Sequence, residues 1–270
     1  MKKPATILLA AAAIAFSVAT FIHAARADEG HGWGVADMNK QVDDTSFVVN
    51  KNCSGTKIAG DLILTANHCI NEMFEDVERD VVSDNGEVTK KKFRIAVPGY
   101  VSQKFFDGVH ETRTYNFRYK IMARDIKLDL AVLKTDAALP KSEISEIACK
   151  ELARGDTVYA VGNQFVVLYA TVTKGIVSSV QRNYEQLGIS NDYQSSGQDN
   201  GFFQFTAPIA PGNSGGALYN DAGELVGVVV RGAPYNIGLG VPLDDVRSFL
   251  KDNDAFSAHG VKKLCDTPAN

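Results

Sequence analysis

The chain has 270 residues, 45% of them hydrophobic and 22% charged, with a formal net charge of −4. That length suits one large all-β unit or two small domains sharing a cleft. The acidic balance excludes the basic surface of a nucleic-acid binder.

Lys2 and Lys3 precede an apolar run from Ala5 to about Ile22, and Ala25-Arg26-Ala27 is followed at once by polar Asp28-Glu29-Gly30. This is the layout of an export signal over residues 1–27, cleaved after Ala27. An uncleaved membrane anchor is the alternative. Cleavage leaves 243 residues, and the loss of Lys2, Lys3 and Arg26 takes the net charge from −4 to −7. The expected location is secreted or periplasmic, with no membrane contact after cleavage.

Residues 28–44 are polar and glycine-rich and read as a loose lead-in. Regular structure starts at Phe47-Val48-Val49. Thr56 to Ala66 reads as two short strands joined at Gly60-Asp61. Asn67-His68-Cys69 closes the second strand. Ile70, Met73, Phe74 and Val77 then recur at helical spacing, which predicts a short helix with Met73 and Phe74 as core. The basic run Lys90-Lys91-Lys92-Phe93-Arg94 suits a solvated strand edge or loop. Val88 to Val97 and Tyr115 to Tyr119 alternate in part, with an extended loop expected over 98–113. Asp129 stands at the head of the apolar strand Leu130-Ala131-Val132-Leu133.

A first domain is thus expected over 45–135, a linker with Pro140 over 136–148, a second domain over 149–252 and a tail over 253–270. In the second half, Thr157–Gly162, Ala170–Val180 and Phe202–Phe205 read as strands. Ala217 to Val230 reads as a hairpin turning at 220–223, and Ile237–Val241 as the last strand. Val246, Phe249 and Leu250 predict a C-terminal helix. Short strands at close spacing indicate a sandwich or barrel.

Chemistry concentrates around Pro211-Gly212-Asn213-Ser214-Gly215-Gly216. A serine hydroxyl becomes a nucleophile only with a base in reach and backbone N–H groups aimed at the oxyanion. By itself the stretch reads equally as a glycine-rich turn. Of the candidate bases His31, His68, His110 and His259, only His68 ends a strongly apolar strand, a rigid mount. Such a histidine needs a carboxylate. Asp129 heads the deeper strand, and Asp125 is its rival. Pro211 fixes its own φ but leaves ψ free, so the 211–212 peptide can take two orientations.

Four cysteines in an exported chain argue for disulfides, with three possible pairings. A Cys53–Cys69 bond would pin the strand that carries His68, and Cys149–Cys265 would then tie the tail to the second half. Two independent buried thiols are the alternative reading of Cys53 and Cys69. No Cys/His spacing suggests zinc, and neither metal nor cofactor is expected.

Three motifs now stand in order: Leu64-Thr65-Ala66-Asn67-His68-Cys69, Asp129-Leu130-Ala131-Val132-Leu133 and Gly212-Asn213-Ser214-Gly215-Gly216. In these the sequence resembles chymotrypsin-fold serine proteases, most of all the HtrA/Deg type, over about residues 45–252. The Val172–Ser178 run and the Gly238–Pro242 segment look HtrA-like. The Cys53/Cys69 spacing matches the histidine-loop disulfide of the secreted trypsin-like branch. The resemblance implies an all-β fold of two perpendicular six-stranded Greek-key barrels with a C-terminal helix. It implies a catalytic triad of His68, Asp129 and Ser214, and an oxyanion hole from the Gly212 and Ser214 N–H groups. Substrate would be a protein or peptide.

Position 208, six before the nucleophile, lies at the base of the S1 pocket in that family, and here it is Pro208 with no acidic group. Val229, Val230, Gly232, Gly238 and Gly240 would line the walls, favouring small or medium apolar P1 residues over Lys or Arg. Arg231 would favour an acidic residue elsewhere in the substrate. No Ile-Val-Gly-Gly-type start follows the signal, so activation by a new N-terminus is not expected. The 18 residues after Asp252 leave no room for a PDZ domain, and the 70–124 region is longer than usual. A catalytically silent homologue that binds peptides by strand addition at 229–232 is the alternative function. An α/β-hydrolase esterase is excluded by chain order, because His68 and Asp129 precede Ser214. The oligomeric state is left open.

Overall fold

The computed structural model describes residues 33–70, 74–83, 86–96, 98–140, 143–182, 201–233, 236–253 and 260–262. The export signal, His31, His259 and Cys265 lie outside the described residues. A helix, α1 (Val35–Thr45), leads into β1 (Ser46–Val49), β2 (Cys53–Lys57) and β3 (Leu62–Ala66). Then come β4 (Phe74–Val82), β5 (Val88–Ala96), β6 (Tyr100–Asp107), β7 (His110–Asp125) and β8 (Leu130–Thr135). The second half holds β9 (Thr157–Gln164), β10 (Leu168–Arg182), β11 (Phe202–Phe205), β12 (Ala217–Tyr219), β13 (Leu225–Ala233) and β14 (Ile237–Pro242), followed by helix α2 (Leu243–Asp252).

Twelve of these strands close into two six-stranded barrels, ordered β1-β2-β3-β8-β7-β6 and β10-β11-β14-β13-β12-β9, and β4 and β5 pair as a separate two-stranded sheet. The continuous apolar runs in β3 and β8 have a physical reason: β3 is buried along its whole length and β8 along all but Lys134. A strand covered on both faces loses the alternation of a half-exposed one. Leu62, Ile63, Leu64, Leu130, Val132 and Leu133 are fully buried there. β3 and β8 pair antiparallel with Ala66 opposite Leu130. His68 and Asp129, just beyond those two positions, are therefore delivered to the same end of the barrel.

Three expectations change. The helix expected around 70–77 is a single 3-10 turn at Asn67–Ile70 followed by the strand β4; Met73 lies outside the described residues. Cross-strand register decides it. Glu78 faces Lys92 and Asp80 faces Lys90, so two lysines of the basic run on β5 meet carboxylates of β4 while Lys91 faces Arg79, and β-branched Val77, Val81 and Val82 favour the strand. The loop expected over 98–113 is mostly the hairpin of β6 and β7, turning at Gly108, φ 59°. The loose lead-in contains α1, whose Val35, Met38 and Val42 follow helical spacing.

α1 and Trp33, two residues before it, bridge both barrels. Gln103 Nε2 of β6 donates to the Asp44 carbonyl at 3.0 Å, while Gln41 Nε2 donates to Gly223 O at 2.8 Å. Trp33 packs against Tyr159 and Tyr219, with ring centroids 5.6 and 4.9 Å away, and its backbone N–H donates to Asp221 O.

Cys53 and Cys69 form a disulfide across 16 residues of sequence. Cys149 is also disulfide-bonded; its expected partner Cys265 is not among the described residues. Closing a 16-residue loop restricts the unfolded chain by about 3 kcal/mol. The double variant Cys53→Ala/Cys69→Ala is expected to lose roughly that much stability in urea unfolding, while Cys149 keeps its bond.

Candidate active site

Three hydrogen bonds lock Asp129 to the turn that carries His68, two of them to His68 itself. His68 Nδ1 lies 2.7 Å from Asp129 Oδ2, and the His68 backbone N–H donates to Asp129 Oδ1 at 2.8 Å. The Asn67 N–H donates to the Asp129 carbonyl at 2.9 Å. Asp129 adopts φ 55°, a left-handed conformation that Asp tolerates better than most residues. The kink turns both its carboxylate and its carbonyl toward the His68 turn. With Nδ1 committed, Nε2 is the imidazole nitrogen left for other chemistry. Asp125, the rival carboxylate, instead caps its own turn, accepting from the Lys127 and Leu128 N–H groups. His110 begins β7 at an exposed hairpin end.

The Ser214 loop crosses to the first barrel. Ser214 O accepts from the Ser54 N–H at 2.8 Å and lies 3.5 Å from Cys69 Sγ, beside His68. Ser214 Oγ sits 3.5 Å from the Val230 carbonyl; among the described residues it makes no hydrogen bond to His68. Gly212 has φ 99°, and a Cβ there would stand 2.2 Å from Asn163 O, so only glycine fits. The Pro211 carbonyl accepts from the Phe165 N–H at 2.6 Å. A trans peptide points its C=O and N–H in opposite directions, so the Gly212 N–H faces away from Phe165. Among the described residues, neither that N–H nor the Ser214 N–H has an acceptor. Beside Ser214 opens a cavity of about 320 Å³, lined by Ile209, Ala210, Pro211, Asn213, Ser214, Val229, Arg231 and Gly232.

Residues 45–228 match the trypsin-like peptidase domain. The chain belongs to that family. The peptidase domain is 32% identical over 180 residues to "Serine protease HTRA1B" of Danio rerio, covering 67% of this chain and 35% of that protein. It is 36% identical over 140 residues to "Serine protease HTRA4" of Mus musculus, covering 50% and 27%. It therefore spans only about a third of these relatives' lengths. The crystal structure of the serine endoprotease from Yersinia pestis superposes with a TM-score of 0.55 at 23% identity, over 82% of this chain and 67% of that one, a likeness of fold.

Of the expected pocket residues in this trypsin-like peptidase domain, Val229 and Gly232 line the cavity and Val230 meets Ser214 through its carbonyl. Pro208 does not reach it. It is exposed, and its carbonyl accepts from Thr173 Oγ1 at 2.7 Å, so Ile209 takes the wall position. Gly238 and Gly240 face the interior of the second barrel: a Cβ would meet the Phe205 ring at 2.3 Å in one case and Leu218 Cδ1 at 2.5 Å in the other. Ile209, Ala210, Pro211 and Asn213 stand in the lining without having been expected there; their nearness to Ser214 in sequence is the available signal.

Behind the His68 turn, Asn50 Nδ2 donates to Cys69 O at 3.0 Å and to the Tyr119 hydroxyl at 2.7 Å. Burial pushes the Tyr119 pKa up and keeps the hydroxyl protonated. Cys53, His68 and Cys69 are the metal-capable side chains clustered here, but the disulfide occupies both sulfurs. No helix among the described residues is long and apolar enough to cross a membrane.

Proposed function

We propose that the chain is an exported serine endopeptidase acting through His68, Asp129 and Ser214. The observation that carries this is the doubly bonded His68–Asp129 pair, mounted beside the Ser214 loop. Asp129 holds the imidazole with Nδ1 protonated, which leaves Nε2 as an acceptor. For this step Ser214 Oγ has to leave the Val230 carbonyl and turn to His68 Nε2, a change of its χ1 rotamer. Its proton passes to Nε2 as Oγ bonds to the peptide carbonyl carbon and the C=O π pair moves to oxygen. The N–H groups of Gly212 and Ser214 stabilise that oxyanion. The protonated imidazole then delivers its proton to the leaving amine, and water repeats the sequence to release the acyl group.

A fluorophosphonate probe tests this reading. Wild-type protein is expected to take the label and Ser214→Ala to take none. Label on both proteins, or on neither, defeats the mechanism.

Substrate choice follows from the cavity. Ile209, Ala210, Pro211, Val229 and Gly232 offer apolar walls, and Arg231 repels a cationic side chain. Small or medium apolar P1 residues are expected, with an acidic residue favoured elsewhere in the substrate. Profiling cleavage of a mixed peptide library reads this directly, and a majority of cuts after Lys or Arg would overturn it. The signal-like layout of residues 1–27 and the Cys53–Cys69 bond support export.

A further inference from the structure

Ser54 lies on β2 of the first barrel, buried, one residue after Cys53. Its hydroxyl donates to the Gly212 carbonyl at 2.7 Å. The same oxygen accepts from the Asn163 backbone N–H at 2.7 Å and from Asn163 Nδ2 at 3.1 Å. Asn163 is fully buried on β9 and is held in turn: Nδ2 donates to Phe47 O at 2.8 Å, and Oδ1 accepts from the Ala170 N–H at 3.0 Å. The Ser54 N–H donates to Ser214 O, and Thr65 Oγ1 donates to Ser54 O at 2.7 Å.

A hydroxyl has one proton to give. The two Asn163 N–H groups both donate to Ser54 Oγ, so that proton is directed to Gly212 O. Gly212 is therefore held on both sides. The Phe165 N–H fixes the peptide before it, and the Ser54 hydroxyl fixes the peptide after it. Glycine at φ 99° has wide freedom when left alone, so its orientation depends on these two bonds. Outer contacts of this kind decide whether a site is held within a fraction of an ångström.

We infer that Ser54, oriented by Asn163, is a positioning residue that sets the Gly212 N–H for the oxyanion, acting across the seam between the barrels. This rests on the serine-protease reading above. The expected effect of Ser54→Ala is a selective loss of oxyanion binding with little change in peptide binding.

The test compares a tripeptide aldehyde ending in a valine-derived aldehyde with the corresponding alcohol. Ser214 Oγ adds to the aldehyde carbon, its proton moves to His68, and the carbonyl oxygen becomes an oxyanion at the Gly212 N–H. The alcohol only occupies the cleft. Wild-type protein that binds the two equally would sink the protease reading itself. Given wild-type discrimination, Ser54→Ala is expected to cut the aldehyde-to-alcohol affinity ratio and kcat by roughly ten- to a hundredfold, with KM near wild type. Loss of an oxyanion donor outright costs about 10²–10³.

Asn163→Asp is the second variant. It places a carboxylate oxygen where Nδ2 donates, which draws the Ser54 proton away from Gly212, and the same selective loss is expected. The inference is overturned if folded variants keep the wild-type ratio, or if aldehyde and alcohol binding fall together. It is also overturned if neither variant folds, since Ser54 and Asn163 would then serve folding and not position.

Discussion

Exchanging Asp129 for asparagine is expected to lower kcat about 10⁴-fold while leaving the fold intact. The carboxylate accepts from two donors, the His68 backbone N–H on Oδ1 and the ring Nδ1–H on Oδ2. An amide has only one accepting oxygen. The backbone N–H cannot change its role, so the amide oxygen turns to it and the NH₂ faces Nδ1. The imidazole must then accept at Nδ1 and carry its proton on Nε2, where it cannot take the proton of Ser214. Steady-state kinetics with a cleavable peptide, alongside thermal unfolding, check both halves. A variant with more than a tenth of wild-type kcat would show that Asp129 does not set the tautomer.

Gly215→Ala is expected to cost both stability and activity. A Cβ there would lie 2.1 Å from Thr65 Oγ1, 2.3 Å from Ser54 O and 2.9 Å from Ala66 N, at φ 80°. Ser54 O and Ala66 N are backbone of β2 and β3, so the first barrel itself must move. Overpacking costs about 1–3 kcal/mol and a left-handed non-glycine residue about 1–2, giving roughly 2–5 kcal/mol. The shift also displaces His68 relative to Ser214, and a misplacement of about 1 Å costs around a hundredfold in kcat/KM. Gly155→Ala is the control. It has φ 96° but nothing within 4 Å of the added Cβ. Only the conformational cost applies there, about 1–2 kcal/mol in urea unfolding with activity unchanged. Equal behaviour of the two variants would show that the seam between the barrels is not tightly packed.

The barrels and the His68–Asp129 pair were legible because their signals are local. Buried strands such as Leu62–Ala66 and Leu130–Thr135 write themselves as apolar runs. A histidine and an aspartate at the ends of such runs have few other uses. Pro208 stands outside the cavity lining and Ile209 within it, because a wall depends on which way each loop residue faces, and a sequence does not record that. The facing of the glycines at 238 and 240 is hidden for the same reason: their open side is filled by Phe205, Phe203 and Leu218 from within the barrel. The short helix expected near residue 74 rested on a few apolar positions, and the ladder between β4 and β5 outweighed them. Ser54 and Asn163 carry no signal at all in the chain, since 109 residues separate them and only folding brings them together.

The bridging helix α1 has a consequence in time as well as in space. Gln41 binds Gly223 across 182 residues, and Trp33 settles on Tyr159 and Tyr219. Gly223 lies in the β12–β13 turn and Tyr159 and Tyr219 lie on β9 and β12, so all three partners belong to the second barrel. Contacts spanning so much chain carry their loop-closure cost before any reward. The stretch that precedes both barrels in sequence therefore waits for both to form, and its docking reports that assembly of the two halves is complete.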